Sequence, residues 1–170
     1  NKLETTLDLR TQKLVEKQLR DYVAQKKHLG IVNAAALLID VHDVEVRAEV
    51  GSADFYDRNI EGQINGAAAR RSPGSAIKPF IYALALDQGL IHPMTMLKDT
   101  PVSYGGFNPE NFDRDFSGPV HAKDALIRSR NIPAVNLAIQ LKTPGLYGFL
   151  KKAGMAPLKD ESYYGLALAL

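Results

Sequence analysis

The sequence predicts an α+β fold in which an antiparallel sheet is followed by a cluster of buried helices. Three observations support this prediction. An amphipathic helical pattern extends over residues 8–27, and two segments with strand patterns follow it, joined by a short polar link. The second half of the chain then carries several apolar stretches with helical spacing. A helix beside a hairpin, with further helices segregated after it, is typical of α+β folds.

The first helix follows a short extended segment that begins at Thr5. Asp8 is a residue type that favours the N-cap position, and Gly30 is suited to ending a helix. Between them one face is polar or charged and the other is apolar. The apolar face consists of Leu14, Val15, Leu19, Tyr22 and Val23. We predict a surface helix that packs through this stripe.

The next two segments predict an antiparallel hairpin. Residues 31–39 are nearly all apolar, which favours a strand covered on both faces. Residues 44–50 alternate strictly between apolar and polar, which favours a strand with one exposed face. Only residues 40–43 separate the two segments, so a hairpin is the natural connection.

A loop over residues 51–71 leads to the turn signal Pro73-Gly74 and then to a predicted central helix. Apolar residues occupy every side of this helix, so it should be buried all round. They are Ala76, Ile77, Phe80, Ile81, Ala83, Leu84, Ala85 and Leu86. Because proline is tolerated only in the first turn, Pro79 requires the helix to begin near Ser75, and Gly89 ends it.

Residues 91–120 are rich in glycine and aromatic residues and are predicted to form an ordered loop. Three helical segments follow it. The first covers residues 122–128 and ends at the break Ser129-Arg130-Asn131. The second begins with Pro133 at its first position, and the third lies between Gly145 and Gly154.

Composition narrows the possible functions. The 170 residues are 45% hydrophobic and 24% charged, with a net charge of +2 at pH 7. This charge is too small, and the basic runs are too short, to favour nucleic-acid binding. The lack of cysteine excludes disulfides and cysteine-ligated metals, and the 4 histidines have no metal-site spacing. No apolar run reaches the roughly 18 residues of a membrane span. We therefore predict no metal, no cofactor and no nucleic-acid partner.

Ser75 and Lys78 form the candidate catalytic pair. A serine hydroxyl is a weak nucleophile until a base removes its proton, and lysine can be that base once burial or a neighbouring cation lowers its pKa. Three-residue spacing puts both side chains on one face of a helix, at an N-terminus that favours an oxyanion. Such a spacing occurs by chance on the order of once in a chain of this length. Three features support a catalytic pair over a chance match. The helix is apolar, prolines lie on both sides of Ser75, and Ser129 and Asn131 supply a second hydroxyl and an amide.

Other catalytic arrangements have less support. No Gly-x-Ser-x-Gly sequence is present, and no His-Glu-x-x-His sequence is present. A Ser-His-Asp triad is not excluded by residue order alone. The carboxylates are scattered singly, so none stands out as a glycosidase pair.

The motifs resemble those of the penicillin-binding protein and serine β-lactamase superfamily, whose signature is Ser-x-x-Lys, Ser-x-Asn and Lys-Thr-Gly. Here the first is Ser75-Ala76-Ile77-Lys78 and the second is Ser129-Arg130-Asn131. Nearly the whole chain is similar to the transpeptidase domain of class A penicillin-binding proteins. Two stretches, residues 86–93 and 116–120, are similar to the penicillin-binding protein 1C branch of that class.

The resemblance implies a partial penicillin-binding/β-lactamase-like transpeptidase fold and a role for each motif residue. Ser75 would attack the penultimate D-alanine carbonyl of a peptidoglycan stem peptide, with Lys78 as the base. Ser129 would pass the proton to the leaving amine, and Asn131 would bind the substrate amide and orient Lys78. The acyl-enzyme would then cross-link to a neighbouring stem peptide. β-Lactams would acylate the same serine.

The resemblance also implies missing parts. Lys142-Thr143 is followed by Pro144, so the Lys-Thr-Gly motif and its strand are absent. We expect residues 1–170 to be the N-terminal portion of a single transpeptidase domain, with a lead-in strand and helix (1–30), a hairpin (31–52) and a helical subdomain carrying the nucleophile (53–170). The glycosyltransferase domain and the C-terminal strands would lie elsewhere in a longer parent. The isolated piece is expected to be soluble, and to be inactive and to bind β-lactams poorly.

The parent protein would be anchored in the bacterial inner membrane and face the periplasm. Its partners would be stem peptides, lipid II-derived glycan and β-lactam antibiotics. Two alternatives stay open: a serine β-lactamase, which hydrolyses its acyl-enzyme, and a non-catalytic penicillin-sensing or scaffold domain.

Overall fold

The computed structural model describes residues 2–155 and 158–170. The helices are α1 (Leu9–Lys26), α2 (Lys78–Asp87), α3 (Ala122–Ile127), α4 (Asn131–Gln140), α5 (Leu146–Lys152) and α6 (Glu161–Tyr164). The strands are β1 (Ala36–Ile39), β2 (Val46–Val50), β3 (Met96–Asp99) and β4 (Gly118–His121). Two compact units result, Asn1–Arg71 and Ser72–Leu170. In the described residues, no helix is both long and apolar enough to cross a membrane.

In the first unit, the predicted N-terminal helix is confirmed. The Thr11 backbone N–H donates to the Asp8 carboxylate at 2.7 Å, so Asp8 caps α1 as expected. A 3-10 turn continues α1, and Gly30 ends it in the left-handed conformation. The inward face differs from the predicted stripe, because Leu14 and Tyr22 are 56% and 49% exposed.

The side of α1 that faces inward is set by polar contacts as well as by apolar burial. The Gln12 amide donates to the Glu49 carbonyl oxygen and accepts from the Glu49 N–H, both at 2.9 Å. These bonds attach α1 to the open backbone edge of β2, since Glu49 lies within that strand. Val23, the buried residue of α1, lies on the inward face.

The predicted hairpin is confirmed, because β1 and β2 pair antiparallel from Ala36 opposite Val50 onward. The prediction that β1 is covered on both faces is wrong, since Leu37, Leu38 and Ile39 are each at least 39% exposed. Residues 31–35 are not part of the strand. Within them, the Asn33 side chain bonds to Ala53 and Ile60 of the following loop.

In the second unit, a 3-10 turn (Gly74–Ile77) leads directly into α2. The α-helix proper therefore begins at Lys78, and the predicted start at Ser75 lies in the 3-10 turn. Gly74 has φ +51°, a conformation that glycine adopts without strain. The prediction that this helix is buried on every side is wrong. The helices α3, α4 and α5 cover one side of it. Leu86 on the other side is 44% exposed.

The region predicted as a loop contains a second hairpin. β3 and β4 pair antiparallel, from Met96 opposite His121 to Asp99 opposite Gly118. This hairpin was not predicted, because Gly118 and Pro119 are residue types more common in turns than in strands. This hairpin fixes Asp99, which is fully buried, at the end of β3.

The three helices predicted after this region are confirmed as α3, α4 and α5, with the break at Ser129. Pro133 is the third residue of α4 and not its first. α6 and a 3-10 segment (Gly165–Ala169) complete the unit. The core of the second unit is apolar: it is formed by Ile77, Ile81, Tyr82, Leu84, Ala85, Val120, Ala122, Ala125, Ala134, Val135, Leu137, Leu146, Leu150 and Ala169. The predicted single domain and its three sub-ranges stay a prediction.

Candidate functional site

Lys78 is almost completely buried, with 1% of its surface exposed. It is the first residue of α2. Its amine donates to the Ser129 carbonyl oxygen at 2.6 Å, to the Ser129 hydroxyl at 3.1 Å, and to the Asn131 side-chain oxygen. Three of the four predicted site residues, Lys78, Ser129 and Asn131, are therefore in direct contact.

Ser129 is held by the way in which α3 ends. The Ser129 N–H donates to the Leu126 carbonyl, and the Arg130 N–H donates to the Ala125 carbonyl, both at 2.9 Å. This pair of bonds is a Schellman motif, in which the residue at Ser129 is left-handed and is usually glycine. Ser129 has φ +56°. A serine at this position tolerates an unfavourable backbone conformation and places both its carbonyl and its hydroxyl against Lys78.

Asn131 is the first residue of α4, and both ends of its amide are engaged. The side-chain oxygen accepts from Lys78, and the side-chain N–H donates to the Glu110 carbonyl at 2.6 Å. Its backbone N–H donates to the Asn111 side chain at 2.7 Å. The contact with Glu110 fixes which end of the amide faces the lysine, because a carbonyl can only accept.

Ser75 is an exposed residue in the 3-10 turn before α2. In a 3-10 helix, residues three apart lie on the same side, so Ser75 is on the side of Lys78. Ser75 lines an open cleft of about 420 Å³, together with Ser129 and Asn131. Within the described residues its hydroxyl makes no hydrogen bond. Ser75 thus lines the cleft with a hydroxyl that is not hydrogen-bonded, and Lys78 bonds to two other residues that line the same cleft, Ser129 and Asn131.

A polar network was missed from the sequence. It extends from the buried Asp99 to the wall of the cleft, which Asn111, Asp113 and Arg130 line. The Arg130 guanidinium donates to Asp99 and to Asp113, each at 2.7 Å, and to the Asp115 carbonyl. Asn111 donates to Asp99 at 2.8 Å. Arg130 lies inside the Ser-x-Asn motif, and that position is the one signal in the sequence that points to this network.

Burial is the main electrostatic influence on Lys78. It lowers the pKa of the Lys78 amine, and the positive charge of Arg130 lowers it further, to about 8. Burial alone raises the pKa of Asp99, but bonds from Asn111, Ser117 and Arg130 outweigh it and leave that pKa below its ordinary value. The site therefore combines a lysine that can lose its proton near neutral pH with a carboxylate that stays ionised.

The contacts of Lys78 suit an amine that changes protonation state. A protonated amine has three N–H groups for its three acceptors. A neutral amine has two, which match the two groups that can only accept, the Ser129 carbonyl and the Asn131 oxygen. Its lone pair is then free to accept a proton from a hydroxyl. This arrangement can remove a proton from a serine and return it.

The chain is similar in sequence to penicillin-binding proteins. The family model described as the penicillin-binding protein transpeptidase domain matches residues 34–162. The chain is 38% identical over 166 residues to penicillin-binding protein 1C of Escherichia coli, covering 92% of this chain and 21% of that protein. It is 31% identical over 183 residues to penicillin-binding protein 1A of Clostridium acetobutylicum, covering 99% of this chain and 22% of that protein.

A solved structure has a similar fold. The PonA1 protein of Mycobacterium tuberculosis, in complex with penicillin V, superimposes with a TM-score of 0.70 at 25% sequence identity. The match covers 94% of this chain and 40% of that chain. The chain spans about a fifth of the length of the curated relatives named above.

Proposed function

Since the chain belongs to the family of penicillin-binding protein transpeptidase domains, we propose that it carries the nucleophile of a peptidoglycan D,D-transpeptidase that works through a serine acyl-enzyme. The observation that supports this most strongly is the buried Lys78 amine. It is bonded to Ser129 and Asn131, and these two residues line the same cleft as Ser75.

In the first half-reaction, Ser75 is the nucleophile and the neutral Lys78 amine is the base. The Ser75 oxygen forms a bond to the penultimate D-alanine carbonyl of a stem peptide as its proton moves to Lys78. The bond from that carbonyl to the terminal D-alanine nitrogen then breaks. The departing nitrogen receives the proton through the Ser129 hydroxyl, which lies 3.1 Å from the Lys78 amine.

In the second half-reaction, an amine of a neighbouring stem peptide attacks the acyl-enzyme. The proton of that amine moves to Lys78, a new amide bond forms, and the ester bond to Ser75 breaks. Ser75 then takes its proton back from Lys78, so the site returns to its starting state. The Asn131 amide binds the substrate and keeps the lysine oriented, in keeping with its bonds to Lys78 and Glu110.

The partners follow from the same chemistry. β-Lactams would acylate Ser75, in keeping with the penicillin V complex of the mycobacterial relative. The natural substrates would be stem peptides on a lipid II-derived glycan. We place the activity in a longer, bifunctional glycosyltransferase and transpeptidase at the periplasmic face of the inner membrane, with a membrane anchor.

We also propose that the 170 residues alone react poorly with β-lactams and are inactive in cross-linking. The sequence contains no Lys-Thr-Gly motif. In this family that motif lines the cleft opposite the serine and supplies a second oxyanion donor. Removing one such donor typically costs on the order of 10²- to 10³-fold in rate.

Turnover tests the function. The full natural protein that carries these residues would be incubated with a peptide ending in D-alanyl-D-alanine and an amine acceptor, and the products would be separated by mass. We expect release of one D-alanine for each cross-linked product, and none from Ser75→Ala. Hydrolysis of β-lactams with turnover would indicate a β-lactamase instead. A permanent acyl-enzyme without either product would indicate a penicillin sensor.

A further inference from the structure

Asp99 is surrounded by hydrogen-bond donors. Its carboxylate accepts from Asn111 at 2.8 Å, from the Ser117 backbone N–H at 2.9 Å and from Arg130 at 2.7 Å. It is fully buried, with 0% of its surface exposed. Only a group with no donor of its own fits this site, because an amide at residue 99 would turn its NH₂ toward another donor.

Asp99 is connected to Lys78 through two side chains. It accepts from the Asn111 side-chain N–H, which fixes the Asn111 oxygen toward α4. That oxygen accepts from the Asn131 backbone N–H at 2.7 Å, and the Asn131 side chain in turn accepts from the Lys78 amine. The bond to Asp99 orients the Asn111 amide, and the bond to Asn111 holds the backbone of Asn131, whose side chain contacts Lys78.

Asp99 also fixes the segment between α3 and α4 through Arg130. The Arg130 backbone lies between Ser129 and Asn131, and its side chain extends back to Asp99 with 7% of its surface exposed. The segment includes the left-handed Ser129, so it needs outside contacts to keep its conformation. A buried ion pair as a whole adds little to net stability, and here it joins the end of β3 to the segment between α3 and α4.

We propose that Asp99 is a positioning residue. By fixing Asn111 and Arg130, it keeps the Lys78 amine in its position at the cleft. Asp99 does not touch the substrate or the reacting atoms. It acts on the backbone and side-chain orientation of Ser129 and Asn131, and these residues hold the amine. The inference rests on the proposed function, because its effect is measured on acylation of Ser75.

The test uses the full natural protein and a fluorescent penicillin, with the rate constant of labelling and the final labelled fraction measured separately. In Asp99→Asn we expect the rate constant to fall by about 10- to 100-fold, the range known for groups that orient metal ligands, because a catalytic group misplaced by about 1 Å has a comparable cost. The labelled fraction should stay near that of the natural protein. Asp113→Asn is the matched comparison: Asp113 also binds Arg130, but its side chain is 55% exposed. We expect its rate constant to fall by less than about threefold.

A second variant covers the case in which Asp99→Asn does not fold. Asn111→Ala keeps the pair of Asp99 and Arg130 but removes the bond to the Asn131 backbone, and we expect a loss of at least about tenfold in the rate constant. A natural rate constant in Asn111→Ala, or in folded Asp99→Asn, overturns the inference. So does a lower labelled fraction with an unchanged rate constant, since that result means partial unfolding. Labelling that persists in Ser75→Ala overturns the proposed function itself, and the inference falls with it.

Discussion

The Lys78 amine lies 3.1 Å from the Ser129 hydroxyl, although the two residues are 51 positions apart in the sequence. The same amine bonds to the Ser129 carbonyl at 2.6 Å. Ser129 reaches Lys78 with both groups because it occupies the left-handed position that ends α3. A backbone feature that usually requires glycine therefore places a hydroxyl beside the proposed base.

Substitution of Lys78 separates its charge from its ability to take a proton. Lys78→Arg keeps a cation at the site, but a guanidinium does not lose its proton near neutral pH. We expect the rate of penicillin acylation to fall by about 10²- to 10⁴-fold. Lys78→Met removes the charge and keeps much of the volume, and we expect its acylation rate to fall by the same factor. An arginine variant that reacts at the natural rate would mean that only the positive charge is needed.

The pH dependence of acylation follows from the pKa of Lys78. Burial, and then the charge of Arg130, lower this pKa to about 8. Lys78 acts as a base only when neutral, so the rate should rise with pH and reach half of its limit near pH 8. In Asn131→Asp a carboxylate would stabilise the ammonium and raise the pKa, so the midpoint should move to higher pH by on the order of one unit.

The profile is measured as the second-order rate of labelling from pH 6 to 9.5, with stability checked at each pH. A flat profile in the natural protein would contradict the assignment of Lys78 as the base. A midpoint that moves to lower pH in Asn131→Asp would contradict the contact between the two side chains.

Ser129 allows its backbone and its hydroxyl to be tested separately. Both Ser129→Gly and Ser129→Ala remove the hydroxyl, but only glycine relieves the left-handed backbone. We expect the glycine variant to be more stable than the alanine variant by about 1 kcal/mol in the free energy of unfolding. Acylation should be slower than natural in both, by at least about tenfold. If Ser129→Gly reacts at the natural rate, the Ser129 hydroxyl is not needed for acylation and only the backbone position matters.

Two tyrosines in the second unit form a matched pair for stability. The Tyr82 hydroxyl is buried without a hydrogen-bond partner among the described residues, whereas the Tyr104 hydroxyl bonds to Asn136. Tyr82→Phe should leave the free energy of unfolding unchanged or raise it by up to about 1 kcal/mol, and Tyr104→Phe should lower it by about 1 kcal/mol. Denaturant unfolding of both variants measures the difference. A larger loss in Tyr82→Phe than in Tyr104→Phe would show that the Tyr82 hydroxyl has a partner.

The parts of the fold that the sequence predicted well are those set by local signals. The Asp8 cap and Gly30 bound the first helix, and the short link at residues 40–43 between two strand patterns predicted the hairpin. Pro79 located the start of α2 to within a turn, because proline restricts its own position in a helix. These features depend on neighbouring residues, so a single sequence is enough to predict them.

The parts that were missed depend on residues distant in the sequence. β3 and β4 are paired across a long loop, and Pro119 made β4 look like part of a turn. Asp99 reads as an ordinary acidic residue until Arg130, 31 positions later, is folded against it. The exposure of β1 and of Leu86 was also missed, because apolar periodicity shows which faces favour burial and does not show what covers them.

Among the four predicted site residues, the motifs Ser-x-x-Lys and Ser-x-Asn brought together positions that composition and periodicity leave unrelated. Lys78, Ser129 and Asn131 are in contact, and Ser75 lines the same cleft as Ser129 and Asn131. Their roles stay predictions. The orientation of Asn131 by Asn111 and Glu110 had no signal in the sequence, since it depends on a backbone carbonyl and a side chain about 20 positions away.

The most direct measurement is the location of the penicillin adduct. The full natural protein would be treated with penicillin, digested with trypsin and analysed by tandem mass spectrometry. Because Pro79 follows Lys78, cleavage there is blocked, and the expected peptide spans residues 72–98, with Ser72 and Ser75 as its two serines. We predict one penicilloyl group, on Ser75, and none in Ser75→Ala. An adduct on Ser72, on another peptide, or retained in Ser75→Ala would contradict the assignment of Ser75 as the nucleophile.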